Sequence, residues 1–211
     1  MPIRQQPRRT ARILALLSLS QISHKQEKIE QVDINELLTG ATRSLIIEVE
    51  NALETASDEL NRSHDQVFKI ETRTSNVGTA KEMLKDAITI TQKAINRLGN
   101  VIEIPEFVQV SQQHQVREYA IELISTVNRR QEEINEILDQ VMTDWKLNRL
   151  SLIDSNILRL AVAEMSFLQV DAKVAINEAI EIAKQYSDDD GFRFINGVLR
   201  KVSDRITTSK L

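Results

Sequence analysis

The spacing of apolar residues predicts two helices at the C-terminal end of the chain. One apolar stripe recurs at helical spacing from Ile176 to Tyr186, and a second recurs from Phe192 to Ile206. The run Asp188–Asp190 lies between them, and aspartate is a poor helix former but a good N-cap. We therefore expect two packed helices joined by a short acidic turn.

The same periodicity divides the rest of the chain into helices and connectors. A first helix is expected to begin at Pro7, because proline suits the first helical turn. The run from Ile157 to Leu168 is apolar around most of its circumference, which predicts a central helix. The remaining segments are predicted as helices over 32–62 and 80–98, connectors over 69–78 and 103–110, and a helical pattern over 116–141.

Two helix starts carry recognisable capping residues. Ser151 and Asp154 have the spacing of a capping box, in which each side chain accepts a hydrogen bond from the backbone N–H of the other. Asp171 is placed to cap the next helix. Proline at position 105 is expected to interrupt helix, because the residue before a proline disfavours the helical conformation.

The composition supports an all-α fold class. The chain has 211 residues, of which 41% are hydrophobic, and it contains only five glycines and three prolines. The absence of cysteine excludes disulfides, thiol catalysis and cysteine-based metal sites, and it suits a reducing, cytoplasmic location. No stretch approaches the roughly 20 apolar residues that span a bilayer.

The sequence contains no pattern typical of an active site. The glycines are too widely spaced for a phosphate-binding loop, and His24, His64 and His114 each lack a second ligand at metal-binding spacing. Asp188–Asp190 could bind a cation, although a capping turn explains these residues without one. We expect no catalytic residue, no cofactor and no metal.

The charge is distributed unevenly. The net charge is −4, yet residues 1–26 carry five cations and no acid, so the remainder carries −9. Arg8 and Arg12 are four residues apart, and Arg9 lies about 60° from Arg12, so the three are expected to form one basic ridge at the helix N-terminus. Cations there oppose the helix dipole, and a bound RNA phosphate would relieve that conflict. A solvated helix start is the alternative.

The last helix has an aromatic residue away from its apolar stripe. Phe194 lies about 100° from Ile195, on the flank of Lys201 and Arg205, where Gly197 leaves bare backbone. This arrangement is typical of a base-stacking platform with phosphate partners. Alternatively, Phe194 covers the edge of the core.

Several separated motifs resemble the NusB family of transcription antitermination proteins. In family order they are Tyr119–Leu123, Trp145–Leu150, Ile157–Ala161, Lys173–Ala179 and Phe194–Leu199. The resemblance covers about the first 25 residues and the chain from Arg117 to Ile206. It implies a single all-helical domain over 1–211, a bundle of the NusB type, with a family-atypical helical insertion at about 26–115.

The resemblance also implies a function and partners. A member of this family binds boxA-like single-stranded RNA of nascent ribosomal RNA together with the ribosomal protein NusE. The pair joins the RNA polymerase antitermination complex and suppresses termination without catalysis. We therefore expect these partners for this chain, and no membrane association.

The matched positions imply roles for individual residues. Arg8, Arg9 and Arg12 fill the arginine-rich start that helps to bind RNA, and Phe194 falls on an RNA-contacting aromatic. Two acidic positions, Asp154 and Asp190, fall at or near the surface that binds the protein partner. Lys201 and Arg205 are RNA-binding candidates from the helix geometry alone.

Two alternative functions remain open at this point. One is a helical protein–protein adaptor without RNA binding. The other is a NusB-like domain of an RNA cytosine methyltransferase, which requires a nucleotide-binding domain and a catalytic cysteine. The sequence contains no cysteine, which disfavours the enzyme.

Overall fold

The computed structural model describes residues 6–21, 33–73, 76–142 and 146–208. The regular elements over these ranges are all helical, which confirms the all-α fold class. In chain order they are α1 (Pro7–Ser20), α2 (Ile34–Arg73), α3 (Val77–Val101), α4 (Ile104–Ser111), α5 (His114–Arg129), α6 (Gln131–Val141), a short 3-10 helix (Leu147–Arg149), α7 (Leu152–Phe167), α8 (Ala172–Tyr186) and α9 (Gly191–Thr208). His24 and Trp145, named above from the sequence, lie outside the described residues, as do two of the five cations of residues 1–26, Arg4 and Lys25.

The helices of this chain group into two compact units, and the single domain over 1–211 remains a prediction. The first unit comprises Met1–Ala41 and Val110–Leu211, and the second comprises Thr42–Gln109. The second unit lies inside the segment 26–115 that was predicted to be inserted. None of the described helices is long and apolar enough to cross a membrane.

The first unit is organised around α7, as its apolar sequence predicted. This helix packs against α1, α5, α6, α8 and α9, and it is buried without interruption from Ser155 to Met165. Leu158 and Val162 have no solvent exposure. Burial of one such side chain stabilises the fold by about 1.5–3 kcal/mol, so α7 supplies much of the stabilisation of this unit.

The two predicted caps are present, although one differs from the expected box. The Asp171 side chain accepts hydrogen bonds from the backbone N–H groups of Lys173 and Val174, as predicted. The Ser151 hydroxyl accepts from the backbone N–H of Asp154 at 3.0 Å, which is the first half of a capping box. The Asp154 side chain instead accepts a hydrogen bond from Ser187, described below.

Two predicted connectors are wrong in part. Residues 103–110 form most of α4, because Pro105 is the second residue of that helix and needs no N–H donor there. The connector predicted over 69–78 is much shorter, since α2 continues to Arg73 and α3 begins at Val77. Asn76 caps α3 by accepting a hydrogen bond from the backbone N–H of Gly78 at 2.7 Å.

Most of the second unit is an antiparallel helical hairpin formed by α2, from Thr42 onward, and α3. The Ser63 hydroxyl donates to the Ala87 carbonyl at 2.9 Å, and Glu59 pairs with Arg97 at 3.0 Å. Residue numbers therefore increase in opposite directions along the two helices, which makes the pair antiparallel. Small residues fill the seam between them, namely Ala52, Ala56, Ala87 and Ala94.

Candidate nucleic-acid interface

The N-terminus of α1 concentrates positive charge without local compensation. Pro7 occupies the first helical turn, Gln6 makes no side-chain cap, and no acidic residue lies in the first turn. Cations at this end of a helix are unfavourable, because the backbone N–H groups already give it positive character. The compensation comes instead from carboxylates of distant helices.

Arg12 is paired with a carboxylate inside the bundle. Its Nε lies 2.9 and 3.0 Å from the two carboxylate oxygens of Glu164 on α7, and both residues are almost fully buried. The Tyr119 hydroxyl on α5 donates a hydrogen bond to the same carboxylate. Burial, followed by this hydrogen bond, raises the pKa of Tyr119 above its ordinary value, so the hydroxyl keeps its proton.

Arg9 connects α1 to α8 through a second carboxylate. Its Nε and one terminal nitrogen donate to the two oxygens of Glu178 at 2.9 and 2.8 Å, a bidentate pair. Arg12 also approaches Glu178, at 3.5 Å. The hydrogen bond from Arg9 lowers the pKa of Glu178 below its ordinary value, so the carboxylate remains charged.

Arg8 is the most exposed arginine of the three. Its guanidinium carbon lies 3.9 Å from the centre of the Tyr119 ring, a cation–π contact that holds the side chain against the surface of the bundle. Within the described part of the chain it forms no ion pair with a carboxylate. Arg8 therefore keeps N–H donors directed to solvent, as a phosphate contact requires.

The expected ridge of three exposed arginines is wrong in its geometry. Arg12 is only 6% exposed, because the helix face that carries it turns into the bundle toward Glu164. Arg9 is part-buried, and Arg8 is exposed. The structure thus arranges the three from solvent to core, with the shortest contacts of Arg8, Arg9 and Arg12 going to Tyr119, Glu178 and Glu164, respectively. Arg8 is the one with the access that direct RNA contact needs.

The α9 residues lie on a helix whose core stripe was predicted correctly. Ile195, Leu199 and Val202 have no solvent exposure. Phe194 is half-buried beside that stripe, which is intermediate between a core residue and a free stacking platform. Lys201 is exposed on the same helix.

The α9 backbone is open to solvent at Gly197. A Cβ added there would meet no atom within 4 Å. Arg205 is exposed in the last turn of the helix, four residues after Lys201. This part of α9 therefore has room for a ligand next to cationic side chains.

Asp154, predicted to contact a protein partner, is engaged within the chain. Its carboxylate accepts a hydrogen bond of 2.5 Å from the hydroxyl of Ser187, the C-cap of α8. A Cβ on Gly191, the first residue of α9, would lie only 1.8 Å from that hydroxyl oxygen. The hydrogen bond thus links the start of α7 to the α8–α9 turn, and a side chain at position 191 would have to displace the Ser187 hydroxyl or shift the turn.

Asp190, the second predicted partner contact, is exposed in the turn before α9. It forms an ion pair of 2.9 Å with Arg193, three residues later. Both side chains are mostly exposed, so the pair stabilises the fold little and leaves Asp190 accessible. His64 and His114 are exposed, and the described residues contain no cluster of three or more His, Asp or Glu that could hold a metal ion.

Sequence reasoning missed the importance of Glu164. A signal was present, since Glu164 is a carboxylate within a helix that is apolar around most of its circumference, and buried acids require partners. Tyr119 was assigned only to the apolar register, although its hydroxyl needed an acceptor inside the bundle. The fold and this cluster define an all-helical bundle whose arginine-bearing first helix is tied to the core by the carboxylates of Glu164 and Glu178, of which Glu164 is buried.

Comparison with protein families identifies the family to which this bundle belongs. A model of the NusB family matches residues 79–204, more than half of the chain, and the chain belongs to that family. The match begins within α3, so it includes part of the segment expected to be inserted.

Relatives share nearly the whole length of the chain. A protein of Crocosphaera subtropica (strain ATCC 51142 / BH68), named transcription antitermination protein NusB, is 60% identical over 206 residues, which cover 98% of this chain and 99% of the relative. A protein of the same name from Gloeothece citriformis (strain PCC 7424) is 58% identical, covering 99% and 98%. These alignments run through 26–115, so the relatives share that segment.

Solved structures support the same fold at lower identity. The structure described as T. maritima NusB, P3121, Form 2 has a TM-score of 0.53 at 21% identity and covers 95% of this chain and 92% of its own. One described as a plectonemic RNA supercoil has a TM-score of 0.54 at 20% identity, covering 97% and 99%. At this identity the likeness shows the fold alone.

Proposed function

We propose that this protein is a non-catalytic transcription antitermination factor that binds single-stranded RNA. The observation that carries the proposal is the 60% identity, over almost the full length, with a protein named transcription antitermination protein NusB. The cationic N-terminus of α1 supplies a chemical basis, because neutralisation of phosphates by lysine and arginine supplies a large share of nucleic-acid affinity. The RNA is a boxA-like element of nascent ribosomal RNA.

The proposed RNA contacts divide between two helices. Arg8 and Arg9 on α1 contact phosphates, with Arg8 the more accessible. Phe194 on α9 stacks on a base beside Lys201 and Arg205. Arg12, predicted to bind RNA, acts mainly by fixing the position of α1, because its guanidinium is already bonded to Glu164.

The proposed protein partner is the ribosomal protein NusE within the RNA polymerase antitermination complex. Asp190 is accessible for such a contact, whereas Asp154 would have to release Ser187 or act by holding the α8–α9 turn. These two roles are separable. Asp190→Ala should weaken the complex without affecting the fold, and Asp154→Asn should also destabilise the isolated chain.

A salt titration with boxA-like RNA tests the RNA proposal. Each phosphate contact contributes roughly 0.7 to the slope of log affinity against log salt for a single strand. Arg8→Ala should reduce that slope by about 0.7 and leave thermal unfolding unchanged. Arg129→Ala, which removes an exposed arginine of α5, is the matched control and should leave the slope as it is.

The same titration also distinguishes an RNA-binding protein from an adaptor that does not bind RNA. A protein that binds NusE but shows no salt-dependent binding of any single-stranded RNA would be an adaptor. An unchanged slope in Arg8→Ala alongside normal RNA binding would remove α1 from the interface. Arg12→Met tests positioning, since a structural role predicts lower stability with the same salt slope.

A further inference from the structure

The α2–α3 hairpin exposes a periodic stripe of large apolar side chains. On α2 the exposed residues Ile46, Leu53, Leu60 and Val67 recur every seven positions. On α3 the exposed residues are Val77, Leu84, Ile88 and Ile95, and Ile102 follows as the C-cap of that helix, again at steps of seven or four. Their exposures range from 37% to 84%. A seven-residue repeat of apolar residues on a long helix is typical of a helix–helix seam.

This stripe is not the seam inside the hairpin. The internal seam contains small buried residues such as Ala56 and Ala94. Taking about 100° per residue, the exposed stripe lies about 80–100° from the internal seam on each helix, displaced in the same rotational sense. Because the two helices are antiparallel, equal displacements put both stripes on the same face of the hairpin. The hairpin thus carries both apolar stripes on one face.

The size of the face matches what a stable interface needs. The 25 residues of α3 extend about 37 Å at 1.5 Å per residue, and two adjacent helices are about 20 Å wide. A face of this size would bury about 1,500 Å² in total when two copies pair, within the usual 1,200–2,000 Å² of specific interfaces.

The charge of the hairpin favours association with a second copy of this chain over binding of a polyanion. Residues 42–109 carry 11 acids and eight cations, a net charge of −3, which repels RNA and anionic membranes. The charge is divided between the helices. Residues 42–70 of α2 carry six acids and three cations, net −3, whereas residues 77–101 carry four cations and two acids, net +2. Each helix therefore complements the other helix of a second hairpin.

The geometry points to self-association of this chain through the hairpin face, with α2 of one copy against α3 of the other in a four-helix arrangement. The two-fold axis then runs parallel to the helices, so equivalent residues of the two copies lie at the same height along that axis. Ser63 lies level with Ala87 and Glu59 with Arg97. At those levels Leu60 of one copy meets Ile95 of the other, and Leu53 meets Ile102.

Sedimentation velocity of the full-length chain over a range of concentrations tests the association. The unmodified chain is expected to form dimers. Leu60→Lys and Ile95→Lys should each raise the dissociation constant by at least about tenfold, because each dimer would bury two unpaired ammonium groups. Val174→Lys is the matched control, since Val174 is a similarly exposed apolar residue of α8 outside the hairpin, and this variant should dimerise normally.

Circular dichroism of each variant verifies that the helices are retained. A monomeric unmodified chain at every concentration would overturn the proposal, as would dimers that persist in both lysine variants. A monomeric chain that Leu60→Lys destabilises by more than about 1 kcal/mol would show that the chain itself covers this face.

Disulfide formation tests the helix pairing independently of stability. The chain contains no cysteine, so single cysteines can be introduced without a background. A mixture of the Leu60→Cys chain and the Ile95→Cys chain should oxidise mainly to the mixed disulfide. Predominant disulfides between two Leu60→Cys chains would overturn the α2–α3 pairing.

Discussion

The guanidinium of Arg12 and the carboxylate of Glu164 form an ion pair in the core, 152 positions apart in the sequence and 2.9 Å apart in space. Both side chains are at most 7% exposed. A buried pair is stabilising only where further hydrogen bonds satisfy its remaining atoms, and here the Tyr119 hydroxyl supplies one. The pair fixes α1 on α7, and with it the position of Arg8 and Arg9.

Removal of the Glu164 carboxylate should destabilise the protein severely. Glu164→Leu leaves the Arg12 charge buried without its main counter-charge, which typically costs about 3–5 kcal/mol of unfolding free energy. Urea unfolding measures the change. Glu133→Leu is the matched control, because Glu133 pairs with Arg130 on the surface and its loss should cost less than about 1 kcal/mol.

The cause of that loss can be checked by removing the other charge as well. Arg12→Met combined with Glu164→Leu should recover much of the lost stability, because an apolar pair of similar volume carries no desolvation penalty. If the double variant is less stable than Glu164→Leu alone, packing rather than the unpaired charge is responsible.

Stability should fall in acid partly through Glu178. The hydrogen bond from Arg9 holds the pKa of Glu178 below its ordinary value of 4.5. A carboxylate with a depressed folded-state pKa stabilises the fold above its unfolded pKa, and that stabilisation is lost as pH falls through the lower folded value. Urea unfolding between pH 7 and pH 3 should therefore show Glu178→Gln less stable near neutrality, with the difference shrinking below about pH 4.5. A difference that is constant with pH would indicate that Glu178 acts through packing alone.

The two glycines of α9 should respond oppositely to alanine. Gly191→Ala places a Cβ 1.8 Å from the Ser187 hydroxyl oxygen, so it must break the hydrogen bond to Asp154 or shift the turn, at a cost above about 1 kcal/mol. Adding Ser187→Gly should reduce that cost. Gly197→Ala meets no atom and should stabilise the helix by up to about 1 kcal/mol in urea unfolding.

The same Gly197→Ala protein also tests the proposed RNA surface. If RNA approaches the backbone of α9 at this point, the added methyl group should lower RNA affinity while raising stability. Equal affinity would show that the ligand does not approach Gly197.

Phe194→Ala should affect RNA binding more than folding. A stacked base contributes about 1–3 kcal/mol, so the affinity should fall roughly five- to 150-fold. Phe194 is only half-buried, so its truncation should cost well under the 3–5 kcal/mol typical of a core phenylalanine. Leu199→Ala is the buried control. The stacking role is wrong if Phe194→Ala and Leu199→Ala lose equal stability and the folded Phe194→Ala protein binds RNA normally.

Several features of the fold could be predicted because they depend on neighbours in the chain. Helical spacing located α7 and indicated that it is central, and it assigned Ile195 and Leu199 to the core. Asp171 was recognised as a cap because an N-cap bonds only to the next few residues. The connector around Pro105 was wrong because the restriction on the preceding residue was given more weight than the tolerance of a first helical turn for proline.

The sequence by itself determined the helical class, the periodic faces and the cationic start of the chain, since all of these follow from residues within one or two helical turns. Only the tertiary structure decided that Arg12 is buried and that Asp154 accepts a hydrogen bond from Ser187. Each of these depends on helices brought together from distant parts of the sequence. A repeat of 3.6 residues specifies which side of a helix is apolar, but it does not specify which carboxylate a charged residue at the edge of that side will meet.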